Sequence, residues 1–156
     1  MSKTTNVQAA QSDDPLVLDK QFCFALYSTS LALTKTYKPF LDKIGLTYPQ
    51  YLVMLVLWQQ DNILVKTIGE RLFLDSGTLT PLLKRLETSL LIARTRDDAD
   101  ERQVRITLTK DGRTLKKKAQ FIPEQILCAC GQHWQVMENL RIQLSALRNS
   151  LVRTPA

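Results

Sequence analysis

Apolar residues recur at helical spacing along most of this chain. Leu18, Phe22, Leu26, Leu33 and Tyr37 form one such stripe, which predicts a long first helix. Asp13 or Asp14 can cap its start with Pro15 in the first turn, and Pro39 is expected to interrupt it at about Lys38. After Gly45, Thr47-x-x-Gln50 has the form of a capping box. The helix behind it carries Leu52, Leu55 and Trp58 to about Gln60. Two shorter amphipathic helices follow, over 66–73 and 76–91, with a turn around Asp75-Ser76-Gly77 between them. The period then changes. Arg105-Ile-Thr-Leu-Thr109 alternates as a half-buried strand does, so strands are expected at 92–96 and 103–108, with Asp97 to Glu101 as their turn. Asp111-Gly112 opens another helix, which Pro123 should kink and Gly131 should end or bend. Met137, Leu140, Leu144, Leu147 and Leu151 give the last helix a 3-4 pattern suited to helix packing.

This order predicts a mainly α fold: a winged helix-turn-helix with a small β wing and long N- and C-terminal dimerisation helices. A helix and an arginine-bearing hairpin on one face match the two grooves of DNA. Residues 61–109 form the winged helix-turn-helix. Residues 13–60 and 110–156 serve mainly dimerisation, within a single domain over 13–156, and residues 1–12 are a polar, flexible arm. The terminal helices exceed what one small core needs. A two-fold dimer built from them would set two recognition helices roughly one DNA turn, about 34 Å, apart.

At 156 residues with 44% hydrophobic content, the chain has the size of one domain with a real core. Its net charge of +6 suggests a polyanionic partner without establishing one. The placement of charge is more informative: nine Lys or Arg stand against five Asp or Glu from Arg94 to Lys118. No apolar run is long enough to span a membrane, and the N-terminus lacks a signal-peptide core, so the expected address is the cytoplasm. Cys23, Cys128 and Cys130 are an odd number without framework spacing and are expected to start as thiols. No cofactor and no metal are expected.

Ser76, Thr78 and Thr80 open the second helix of the pair. Short hydroxyl side chains at a helix N-terminus suit phosphate contact and close approach to base edges. Lys84 and Arg85 add charge further along. Taken singly, Ser76 and Thr78 read more readily as ordinary helix-start residues; the hairpin shifts the balance. There Arg94, Arg96, Arg102 and Arg105 surround an acidic tip, and arginine is favoured in a narrow minor groove. Asp100 can orient Arg102 by a charge-assisted hydrogen bond. The bland alternative is a surface ion-pair network of little worth.

Asp100-Glu101-Arg102 with Arg105, behind a helix-turn-helix, resembles the MarR family of winged-helix repressors. Leu46-Thr-Tyr-Pro-Gln-Tyr51, Asp75-Ser-Gly-Thr-Leu-Thr-Pro-Leu-Leu83 and Phe22-Cys-Phe-Ala-Leu-Tyr27 are similar to its organic-hydroperoxide-sensing (OhrR-type) branch. The resemblance covers about residues 15–150. It implies a dimer, an operator of double-stranded DNA with two half-sites, and a reactive cysteine near the N-terminus. Cys23 is then the redox sensor. Tyr37 and Tyr48 match the positions whose hydroxyls serve that cysteine. Cys128 matches the resolving cysteine of two-cysteine members. The inducer is an organic hydroperoxide, with an apolar pocket drawn from Phe22, Phe24 and Tyr51.

From the residues alone, Cys23 between two phenylalanines also fits a packed core thiol. A reactive thiol needs its thiolate stabilised, and a phenol can donate to sulfur. Cys23 and Tyr37 are 14 residues apart, roughly 21 Å along one unbroken helix. Tyr37 can therefore reach Cys23 only from the other subunit. A sulfenic acid at Cys23 would condense with a second thiol. Cys130 lies about 200° around a helix from Cys128, so the two cannot both face one partner, and either remains open as the resolving thiol. Two other functions compete. A thiol peroxidase lacks a Cys-x-x-Cys motif and has only the distant His133 as a base. A metal-responsive repressor would use Cys128, Cys130 and His133, without an evident fourth ligand.

Overall fold

The computed structural model describes residues 14–153, and its core is organised around α2, Tyr48–Gln59. The expected stripe of Leu52, Leu55 and Trp58 is only half-buried. Tyr51, Val53, Met54, Val56 and Leu57 are buried instead. A helix that is apolar nearly all round belongs inside, and three helices, α3 (Val65–Leu72), α4 (Ser76–Thr88) and α5 (Lys110–Ala119), pack against it. Thr47 precedes α2 as expected, and the Gln50 side chain reaches back to accept from the Thr47 backbone N–H at 2.8 Å. The Trp58 indole donates to the Gly112 carbonyl at 2.9 Å, tying α2 to α5.

The expected first helix begins later and ends later than the sequence indicated. Asp14 accepts from the Leu16 backbone, and a single 3-10 turn follows at Leu18–Lys20. The helix proper, α1, runs from Phe22 to Asp42 with Pro39 inside it. Proline removes only one helical hydrogen bond so near the end. The buried Leu41 and the Lys38–Asp42 ion pair hold the last turn together. The chain divides into two compact units within α1, one ending at Leu33 and the other starting at Thr34. Residues 1–12 and Asp13, the expected arm and the alternative cap, lie outside the described residues.

The second unit holds the predicted helix-turn-helix, α3 and α4, followed by β2 (Ile92–Arg96) and β3 (Val104–Leu108). A two-residue strand, β1 (Ile63–Leu64), was not foreseen. It pairs antiparallel with β3, giving the order β1-β3-β2, with Ile63 opposite Ile106 and Thr95 opposite Arg105. Leu79, Leu83, Leu86, Ile92 and Ile106 bury the inner faces of α4 and the sheet. Beyond the sheet, Pro123 does not kink one helix but stands in the first turn of a new one, α6 (Ile122–Ala129), after a break at Gln120 and Phe121. Proline needs no amide partner there. Gly131, at φ 62°, lies just past the end of α6, and α7 runs from Trp134 to Arg153.

Candidate nucleic-acid interface and thiol site

The start of α4 is shaped by Asp75. Its carboxylate accepts from the Thr78 backbone N–H at 2.8 Å and from the Thr78 hydroxyl at 3.0 Å. These bonds hold the Asp75 carboxyl below the usual carboxylate range. The Thr80 hydroxyl donates to the Ser76 carbonyl at 2.7 Å. Ser76, Thr78, Thr80, Lys84 and Arg85 are all exposed on this helix, while Leu79, Leu83 and Leu86 face inward. The amphipathic period thus directs the hydroxyls and cations outward together.

In the hairpin, Arg96 and Arg102 are exposed. Asp100 does take hold of Arg102, but through the backbone: its carboxylate accepts from the Arg102 N–H at 3.0 Å and from the Gln103 side-chain amide at 3.0 Å. Arg94 is more enclosed, 3.8 Å from Glu87, and its Nε is buried without a hydrogen-bond partner. With Ser76, Thr80 and Arg102 it lines a groove of about 760 Å³ between the helix-turn-helix and the wing. Arg105 is held against the wing turn: Nε donates to Asp97, and a terminal nitrogen donates to the Asn62 carbonyl at 3.0 Å.

Tyr37, late in α1, and Tyr48, at the start of α2, come together with ring centroids 4.8 Å apart. Tyr51 adds a third ring 6.0 Å from Tyr37. Burial, then the neighbouring phenols and Cys130, push the Tyr37 hydroxyl up to about 12. Burial raises Tyr48 as well. Both phenols therefore stay protonated and able to donate at neutral pH. Cys23 stands exposed in the first turn of α1. Cys128 is exposed on α6, and Cys130, just beyond its end, is half-buried. All three are free thiols. Among the described residues no three His, Cys, Asp or Glu side chains are placed to hold a metal ion, so the cluster of Cys128, Cys130 and His133 gains no support.

Two residues that matter here were missed in the sequence. Asp97 opens the expected turn of Asp97 to Glu101, yet its side chain is buried. Asp61 was given no role, yet its carboxylate accepts from Leu108 N–H and from Arg113, both at 2.8 Å. No helix among the described residues is long and apolar enough to cross a membrane.

A family model for the transcriptional regulator SarA/Rot matches residues 35–119. The organic hydroperoxide resistance transcriptional regulator of Bacillus subtilis (strain 168) is 49% identical over 138 residues, 88% of this chain and 94% of its own. Among solved structures, reduced AbfR bound to DNA shares 36% identity at a TM-score of 0.74, over 86% of this chain and 92% of that one; AbfR is a protein of Staphylococcus epidermidis. AbfR with its disulfide formed has the same identity over 86% of this chain and 89% of its own, but a TM-score of 0.58.

Proposed function

The chain belongs to the MarR-type winged-helix transcriptional regulators, in the branch of the organic hydroperoxide resistance regulators, and from that membership we propose that it is a redox-regulated repressor. It binds double-stranded operator DNA as a reduced homodimer and releases it after an organic hydroperoxide oxidises Cys23. The observation that carries this reading is the Tyr37–Tyr48 pair. Two phenols held 4.8 Å apart, both kept protonated, supply donors suited to a thiolate and to the peroxide oxygen. The better likeness to reduced, DNA-bound AbfR than to its disulfide form agrees with the three free thiols.

The DNA surface combines Ser76, Thr78, Thr80, Lys84 and Arg85 on α4 with Arg94, Arg96 and Arg102 in the wing, while Asp100 sets the backbone at Arg102. The hydroxyls and the helix N-terminus take phosphates and base edges in the major groove, and the wing arginines take the minor groove. Two copies pair through their terminal helices. Phe22, Leu26, Tyr27 and Leu31 on α1 are exposed, as are Trp134, Val136, Leu140, Ile142 and Leu151 on α7. Apolar faces of this extent belong against a partner.

The chemistry balances without a cofactor. The Cys23 thiolate attacks the terminal peroxide oxygen, the O–O bond breaks, and with one proton the alcohol leaves and a sulfenic acid remains. A second thiol attacks that sulfur, the S–O bond breaks, water leaves, and the disulfide forms. The two electrons come from the two thiols and reduce the peroxide. Cys128 of the other subunit is the resolving thiol. The event is a switch rather than turnover, so the chain is not an enzyme, and its place is the cytoplasm, where the DNA is.

Nonreducing electrophoresis after cumene hydroperoxide tests this reading. Wild type and Cys130→Ser should give a covalent dimer reversed by dithiothreitol, while Cys128→Ser should not. Loss of the cross-link in Cys130→Ser alone would transfer the resolving role to Cys130. An oxidised product containing only a Cys128–Cys130 bond would refute the mechanism.

A further inference from the structure

Asp97 is one of two buried polar side chains among the described residues, the other being Gln50 in the capping box. It sits where β2 ends and the wing turn begins. Its carboxylate accepts from the backbone N–H of Ala99 at 2.9 Å and of Asp100 at 3.1 Å, and on its other oxygen from Arg105 Nε. The Asp97 N–H closes the turn on the Gln103 carbonyl at 2.9 Å. Arg105 lies on the central strand, between Leu64 of β1 and Thr95 of β2. Its second bond reaches the carbonyl of Asn62, which has a left-handed φ of 56°. Asp61 pins that turn by accepting from Asn62, Leu108 and Arg113.

These bonds form a continuous path. It runs from the turn before β1 through the guanidinium of Arg105 to Asp97, from Asp97 to the N–H of Asp100, and from the Asp100 carboxylate to the N–H of Arg102. We propose that Arg105 is a positioning residue: by bridging Asp97 and the Asn62 carbonyl, it fixes the angle at which the wing turn presents Arg102 to DNA. The planar fork of arginine suits two acceptors at a fixed angle, which a lysine cannot reproduce. A guanidinium neutralised by a buried carboxylate is also a poor phosphate ligand, because its charge is already matched. The inference rests on the DNA-binding function proposed above.

The test uses the full-length reduced protein and a fluorescein-labelled duplex that the wild type selects from a random-sequence library. Binding is read by anisotropy over a range of salt. Arg105→Lys keeps the charge but loses the fork; it should weaken binding on the order of tenfold, the worth of a charge-assisted hydrogen bond. The dependence on salt should not change, since no phosphate contact is removed. Asp97→Asn should weaken binding as well, although it removes a negative charge near DNA. In both variants, hydrogen exchange at the Ala99 and Asp100 amides should quicken. Wild-type affinity in Arg105→Lys, tighter binding by Asp97→Asn, or a salt slope reduced by about one in Arg105→Gln would each overturn the positioning role. A wild-type protein that selects no duplex at all would instead refute the DNA-binding function itself.

Discussion

The Tyr37 ring, three-quarters of the way along α1, is tilted 50° against the Tyr48 ring in the first turn of α2, with centroids 4.8 Å apart. This pairing brings together two phenols eleven positions apart in the chain, and Tyr51 extends the cluster. If these hydroxyls serve Cys23, Tyr37→Phe and Tyr48→Phe should retain DNA affinity but slow oxidation. A lost hydrogen bond to an ionised group is expected to reduce the rate on the order of tenfold each. Stopped-flow measurement with cumene hydroperoxide checks this. Unchanged rates would make the tyrosines core residues only.

The same cluster predicts an alkaline limit to stability. Tyr37 is raised from 10.0 to about 12 by burial first and by its neighbours second. The folded state therefore holds its proton more tightly than the unfolded chain does. The contribution is fully present below pH 10 and is lost as pH rises toward about 12. Denaturant midpoints should fall across that window, and less steeply in Tyr37→Phe. Parallel profiles for the two proteins would contradict the assignment.

Arg102→Ala should weaken operator binding on the order of tenfold or more and lower the salt slope by about one, without changing the melting temperature. Lys84→Ala should weaken binding uniformly across sequences, because a lysine point charge reads phosphate. An Arg102→Ala protein that binds like wild type at every salt concentration would remove the wing arginine from the interface.

Gly112→Ala should destabilise the fold, against the usual helical preference of roughly 1 kcal/mol for alanine over glycine. A Cβ at this position would stand 2.0 Å from the Leu91 carbonyl oxygen, a backbone atom. Thr109, which caps α5 by accepting from Gly112 N–H and donates to the Leu90 carbonyl, holds the two segments too close for adjustment. Thermal melting decides the sign: a higher melting temperature in Gly112→Ala would show that the Leu91 segment yields.

Periodicity made most of the elements legible. The two helices of the helix-turn-helix and both long strands fall within a few residues of their expected bounds, because each has one buried face and thus a clear period. Where burial is not one-sided, the pattern misled. α2 is enclosed on nearly every side, so its stripe pointed to Leu52 and Leu55 while Val53, Met54 and Leu57 form the core. β1 has two residues, too few for any period. Pro39 reads as a stop in isolation, but the packing of Leu41 carries the helix past it. In the candidate site, the exposed side chains of α4 follow from the helical period. The pairing of Arg105 does not, because it depends on Asp97 and Asn62, which only the folded sheet brings within reach.

The most direct measurement is anisotropy of a selected, fluorescein-labelled operator duplex titrated with wild type and Cys23→Ser, before and after cumene hydroperoxide. Reduced wild type should bind and oxidised wild type should dissociate, with dithiothreitol restoring binding. Cys23→Ser should bind in both conditions. Release of DNA from Cys23→Ser on peroxide treatment, or retention by oxidised wild type, would contradict a switch centred on Cys23.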